Sequence, residues 1–220
     1  HIGGDFFHFF SVGKDQLGVA IGDVSGKGIP AALYMAVAIT AIDAQIRADL
    51  GPGELLNKLN HILYNRLREN KMNVALQVAT FAPLSDHTGD GSPQKPQGVL
   101  MTVASAGMVA PIGATEHGCR FLPVSGLPVG ALSPPEQNYH DDMFLLDPFT
   151  TIIFTSDGIV EAQNETRELF GFDRLEATIN EIIATRDAEV IAEHIINTAQ
   201  KFVGQAEQSD DMTVVVVVKT

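Results

Sequence analysis

Tryptophan is absent from this 220-residue sequence, and cysteine occurs once, at Cys119. A single thiol excludes an intrachain disulfide framework and gives no sign of an oxidising compartment, so a cytoplasmic location is expected. No histidine and carboxylate pair can be matched to Cys119 from the sequence, which makes it an indifferent thiol rather than a nucleophile. Basic residues are scarce: 14 Lys and Arg stand against 27 Asp and Glu, a formal charge of -13. Such a surface repels phosphate backbones and anionic lipid, so nucleic acid is not an expected partner. No run of about 18 apolar residues occurs, and no membrane insertion is expected. The sequence starts directly in strand-like residues, without a signal peptide. A first motif so close to the start suggests the C-terminal part of a longer regulated protein. No internal repeat or low-complexity segment is visible.

What is present is 45% hydrophobic and 19% charged. That is the composition of a soluble globular chain, and residues 1–220 are read as a single domain with a sizeable core. Residues 5–12 and 16–23 are β-prone runs around a turn containing Gly13, which predicts a hairpin. From Pro30 to Leu50 the pattern becomes helical, with Met35, Ile39, Ile42, Ile46 and Leu50 on one stripe. The first three turns carry no charge, so cover on most sides is expected. A second helix is predicted from Gly51 to about Asn70, with Pro52 in its first turn and Leu56, Leu59, Leu63 and Leu67 on one face.

Strands are predicted at 74–82 and 98–105, joined by the surface loop "SDHTGDGSPQKPQG". Shorter ones are predicted near 109–113, 119–123, 143–146 and 151–156, and helices near 172–183 and 187–203. The final "MTVVVVVKT" does not alternate, which predicts a strand buried on both faces in the middle of a sheet. Hairpins, meanders and paired helices together indicate an α+β fold of antiparallel sheets with helices outside.

Four acidic clusters stand out: Asp5 in "GGDFF", Asp23 in "IGDVSGKG", Asp157 in "FTSDGIVEA", and Asp210 and Asp211 in "SDDMT". Each lies at the end of an apolar strand-like run, beside Gly, Ser or another Asp. Taken singly, an Asp beside Gly is usually a turn residue bonding its own backbone. Taken together, carboxylates at strand ends can converge, and converging carboxylates repel unless a cation neutralises them. Oxygen ligands without His or Cys select Mg2+ or Mn2+.

Two tempting motifs fail on spacing. A phosphate-cradling P-loop has four residues between its first Gly and the GK pair, then Ser or Thr. Here three residues separate Gly22 from Gly26 and Lys27, and Gly28 stands where the hydroxyl belongs. Lys27 can still meet a phosphate at the start of the helix; a solvated lysine is the alternative. "GGDFF" differs from the GGDEF signature of nucleotide cyclases at the required glutamate, replaced by Phe6.

The segments "GGDFFHF", "GDVSGKGIPAALYMA", "ASAGMVAPI", "GLPVGAL", "FTSDGIVEAQNETRELFGFDRL" and "SDDMTVVVVVK" resemble, in order, the motifs of SpoIIE/RsbU-type serine/threonine phosphatases of the PP2C-like (PPM) superfamily. The resemblance runs from Gly3 to Lys219. It implies a four-layer αββα sandwich with two Mn2+ or Mg2+ ions at one end. By position, Asp23 would bridge both ions, and the Val24 backbone carbonyl would bind one. Asp157 and Asp210 would complete the other site, while Asp5 is the acidic ligand on the Val24 side. Asp211 occupies a position commonly Asn or Asp and is a further candidate ligand. Ser25, Gly26 and Lys27 are candidates for phosphate contact. The implied activity is hydrolysis of phosphoserine or phosphothreonine by water activated between the ions, without a phosphoenzyme.

Two departures qualify the resemblance. Many eukaryotic PP2C enzymes carry histidine where Ser25 stands, so no general acid is assigned, and a loop often written NAGH reads "SAGM", with Ser105 and Met108. Met108 is read as packing. His61 and His194 fall in helix patterns, whereas His1 and His8 lie near the site region. The resemblance further implies a phosphorylated STAS-type anti-anti-sigma partner, an upstream sensor or receiver domain acting through the two long helices, and allows a homodimer. The rival reading is an inactive phosphatase fold serving as a protein-binding switch; the intact Asp23, Asp157 and Asp210 argue against it.

Overall fold

The computed structural model describes residues 3–47, 49–84 and 98–219. The hairpin forms as predicted, with β1 (Asp5–Val12) antiparallel to β2 (Gln16–Val24) and Gly13 in the turn at φ 67°. That left-handed backbone favours glycine. Next come α1 (Ile29–Gln45) and α2 (Pro52–Glu69), then β3 (Val74–Leu84) and β4 (Gly98–Ala106). Most of the predicted loop between these strands, residues 85–97, lies outside the described residues. The short strands β5 (Ile112–Thr115), β6 (Gly118–Phe121), β7 (Asp142–Leu146) and β8 (Thr151–Thr155) follow. The chain continues through α3 (Asp157–Val160), α4 (Gly171–Ile182) and α5 (Ala188–Val203) to β9 (Val214–Val218).

The strands make two antiparallel sheets, ordered β1-β2-β3-β4-β7 and β6-β5-β8-β9. Three apolar layers hold them between helices. Leu56, Leu59, Leu63 and Leu67 of α2 are buried against Val74, Leu76 and Val78 of β3 and Ala104 and Ala106 of β4. Val19, Ile21, Val103, Phe154 and Val215 fill the space between the sheets. Ile153 of the second sheet meets Leu175 and Ile179 of α4 and Ile191 and Ile195 of α5. At about 1.5–3 kcal/mol for each fully buried aliphatic side chain, these layers are the main stabilising element. The α+β, αββα expectation is therefore met. No helix among the described residues is long and apolar enough to cross a membrane.

Two expectations need correction. Among the described residues the valine run of β9 is an edge strand, paired only with β8. Its faces are partly covered, Val214 and Val216 toward the α4 and α5 layer and Val215, the one buried valine of the strand, with Val217 toward the other sheet. A non-alternating apolar strand reports cover on two faces, not a neighbour on two sides. Helix α1 also departs: it ends at Gln45, where Ile46 turns extended. Only one face is covered, with Ala31, Ala38 and Ile42 buried while Ile29 is 68% and Leu33 62% exposed.

Candidate metal centre

Strand alternation decides where the first two carboxylates go. Ala20 and Val24 of β2 point to the α1 and α2 layer, so Val19, Ile21 and Asp23 point between the sheets. Asp5 is the cross-strand partner of Asp23 and shares that face. Gly4 completes the corner: its carbonyl accepts the Val24 N–H at 3.1 Å. A Cβ on Gly4 would land on the Val24 carbonyl oxygen and come within 2.6 Å of Asp23 Oδ1, so the glycine lets carboxylate and carbonyl share one corner.

The second sheet supplies the other side. Thr155 of β8 pairs with Val214 of β9, so Asp157, just after β8, and Asp210 and Asp211, just before β9, leave the same end. Ser156 locks the two segments together. Its N–H donates to the Thr213 carbonyl at 3.0 Å, its hydroxyl accepts the Thr213 N–H at 3.0 Å and donates to the Asp211 carbonyl at 3.4 Å. A Cβ on Gly158 would overlap that same Asp211 carbonyl, and one on Gly3 would overlap the Asp211 carboxylate. The Asp211 N–H in turn donates to Asp210 Oδ1 at 3.0 Å.

Asp23 feels the charges of the other four carboxylates. Asp23 is pushed up from 3.8 to about 7, first by burial and then by the charges of Asp5, Asp157, Asp210 and Asp211. Asp5 rises to about 6, again mainly through burial, although the Ser156 and Thr213 hydroxyls pull it down. Its Oδ2 is buried without a hydrogen-bond partner among the described residues. Among the described residues, no three acidic, histidine or cysteine side chains close into a preformed metal cage.

The donors of this group fit a hard cation, being oxygens only, with an orphaned buried carboxylate oxygen and a backbone carbonyl beside them. Among the described residues, Lys27 is the one cation seated here. Its ammonium stands 3.6 Å from Asp210 Oδ1 and donates to the Ser209 carbonyl. Gly3, Lys27, Glu207, Ser209, Asp210 and Asp211 line a cleft of ≈ 560 Å³. Gly26 and Gly28 hold positive φ on either side of Lys27, which shapes this turn before α1. The Ser25 hydroxyl accepts the Asn73 N–H at 2.8 Å and so ties the end of β2 to β3.

Other sequence candidates fall elsewhere. His8 points to the opposite face of β1, where Nε2 lies 2.7 Å from Asp43. His1 lies outside the described residues. His61 is exposed, and His194 stands 3.4 Å from Glu181. Met108 packs between the sheets as expected. The Cys119 thiol donates to the Glu176 carbonyl at 3.6 Å, away from the carboxylates, and burial raises it. Ser156 and Thr213, which hold the acidic segments in place, escaped the sequence reading; the only signal was their adjacency to Asp157 and Asp211.

The family model for stage II sporulation protein E (SpoIIE) matches residues 13–219. The chain belongs to the SpoIIE family. It is 26% identical over 227 residues to the phosphoserine phosphatase RsbU of Bacillus subtilis, covering 97% of this chain and 58% of RsbU. It is also 26% identical over 237 residues to protein IcfG of a Synechocystis strain, covering 98% of this chain and 36% of IcfG. The chain thus spans between about a third and three fifths of these relatives. Among solved structures it is similar to the PP2C phosphatase domain and regulatory fragment of the Bacillus subtilis cell fate determinant SpoIIE, with a TM-score of 0.78 at 17% identity, covering 100% of this chain and 59% of that one. That likeness places the αββα sandwich among PP2C-like folds.

Proposed function

We propose that this SpoIIE-family chain is a metal-dependent protein serine/threonine phosphatase. The observation that carries the reading is the convergence of Asp5 and Asp23 from one sheet with Asp157, Asp210 and Asp211 from the other, around the Val24 carbonyl. Asp23, facing all the others, is suited to bridge two Mn2+ or Mg2+ ions. Asp5 and the Val24 carbonyl would hold the first ion, and Asp157 and Asp210 the second, with Asp211 beside them. When bound, the ions supply neutralisation of the phosphoryl oxygens and an acidified water.

The chain's own residues do the rest. Partial burial of Asp5 and Asp23 leaves the carboxylates poorly solvated, which strengthens the charge interactions they make. Lys27, with Gly26 beside it and Ser25 before it, would meet the phosphate at the open edge of the cleft, exchanging its contact with Asp210 for the incoming anion. The wide cleft suits a phosphorylated side chain on a protein surface better than a small enclosed metabolite. No residue near the cleft is assigned as general acid. As the motif resemblance implies, the substrate would be a phosphorylated regulatory protein of the STAS anti-anti-sigma type, in cytoplasmic partner switching under an upstream sensor or receiver domain.

The test is phosphate release from a phosphoserine protein with and without Mn2+, comparing the wild type with Asp23→Asn and Asp157→Asn. Loss of at least about 100-fold in both variants is expected, because each removes a charge from an ion-holding group. Undiminished turnover in either variant, or in excess chelator, would refute the reading.

A further inference from the structure

A second polar feature sits directly behind the carboxylates, in a layer that is otherwise apolar. In β3, Leu76 and Val78 face the helices while Ala75, Ala79 and Phe81 face the other sheet, so Gln77 also points between the sheets. In β4, Ala104 and Ala106 face the helices while Met101 and Val103 face inward, and Ser105 follows them. Gln77 and Ser105 are direct cross-strand partners. They are 1% and 3% exposed, and the Gln77 amide nitrogen, the Gln77 amide oxygen and the Ser105 hydroxyl all lack a hydrogen-bond partner among the described residues. Buried polar groups are rarely left unpaired, because each loses its hydration without compensation. Three such atoms on two adjacent side chains call for an explanation.

Register supplies one. Gln77 pairs with Ile21, and the next inward-facing position along each strand pairs Ala75 with Asp23. Gln77 is thus the diagonal neighbour of Asp23, a spacing that a long side chain can span. The residue directly opposite Asp23 is alanine, so no long side chain stands at that position. A buried water needs two to four polar partners. The Gln77 amide, the Ser105 hydroxyl and the Asp23 carboxylate provide them.

The geometry points to Gln77 and Ser105 as positioning residues of the metal centre, which orient the Asp23 carboxylate from behind through an internal water. The inference rests on the metal reading proposed above. It gives Ser105, in the "SAGM" segment, a role that does not require contact with substrate. A merely structural pair would affect folding and leave ion affinity alone. A positioning pair does the reverse, since apolar replacements remove the unpaired atoms but release Asp23.

The deciding experiment is calorimetric titration of Mn2+ into the wild type, Gln77→Met, Ser105→Ala and Asp23→Asn, alongside melting of each metal-free protein. Gln77→Met keeps the side-chain length, and Ser105→Ala is the milder change if the first does not fold. The expected result is roughly 10–100-fold weaker Mn2+ binding in Gln77→Met and a weakening in the same direction in Ser105→Ala, as for other outer-shell partners. Metal-free melting temperatures at or above wild type should accompany it. Affinities within about twofold of wild type in the folded variants would overturn the inference while leaving the metal centre intact. Failure of the wild type itself to bind Mn2+ would overturn both.

Discussion

Binding of divalent cations should expel protons, by an amount that the site's own electrostatics set. Asp23 and Asp5 sit at about 7 and about 6, both raised from 3.8 chiefly by burial. Both must be ionised to hold a cation. At pH 6.5 Asp23 is about three quarters protonated and Asp5 about one quarter, so saturation with Mn2+ should release about one proton per protein, falling close to zero at pH 8.5. Affinity should therefore drop roughly 20-fold between pH 8.5 and pH 6.0. Titration calorimetry in two buffers of different ionisation enthalpy measures the release directly. The metal-free protein carries the complementary signature. Because the folded pKa values lie above the unfolded one, the associated stability is fully present below about pH 4 and is lost as pH rises through 6 and 7. Asp23→Asn removes this loss, so the metal-free variant should gain on the wild type in denaturant above pH 7 and not at pH 4. No proton release at pH 6.5, or tighter binding at lower pH, would refute the argument.

Three further outcomes follow from particular contacts. Gly158→Ala places a methyl group on the Asp211 carbonyl, so it should displace the Asp210 segment and reduce Mn2+ affinity at least about tenfold while far-UV circular dichroism is retained. Lys27→Met removes the cation at the cleft edge; the Michaelis constant for a phosphoprotein should rise several-fold, with a weaker response to added salt, and an unchanged value would remove Lys27 from phosphate contact. Asp187 caps α5 by accepting the Glu189 and Val190 N–H groups, so Asp187→Ala should cost about 1 kcal/mol in denaturant unfolding and leave phosphate release unaltered.

Strand and helix identity was legible wherever a period was unbroken. The β1–β2 hairpin and the leucine face of α2 formed as read, because alternation and 3.6-residue spacing each leave one arrangement that buries the apolar side. What a segment touches was harder to read. The apolar turns of α1 promised cover on most sides, yet Ile29 and Leu33 face outward, since burial depends on which layer lies opposite and not on the helix's own composition. The valines of β9 reported two covered faces and could not report a missing neighbour strand. The site divides in the same way. Each carboxylate could be seen at a strand end, but the pairing of Asp5 with Asp23 needed the register, and Ser156 and Thr213 act through bonds across 57 residues of sequence. His8 lies three residues after Asp5, and one-step alternation sends it to the other face.

The same topology explains why cations and not side chains should dominate the energetics at this end of the sandwich. Asp5 and Asp23 belong to one sheet, and Asp157, Asp210 and Asp211 to the ends of the other, so their repulsion acts both within the first sheet and across the gap between the layers. The ties that oppose it within the chain are modest. Lys27 reaches over to Ser209 and Asp210, but both partners of that ion pair are about half exposed, a setting worth about 0–1 kcal/mol. The Ser156 and Thr213 hydroxyls lower Asp5 without overcoming its burial. A divalent ion between the layers would convert each repulsive pair into two attractive ones. Under the proposed metal reading, ion occupancy and the spacing of the two sheets at this end would be a single equilibrium, on which a shift of the helices packed on β2 and β3 would act.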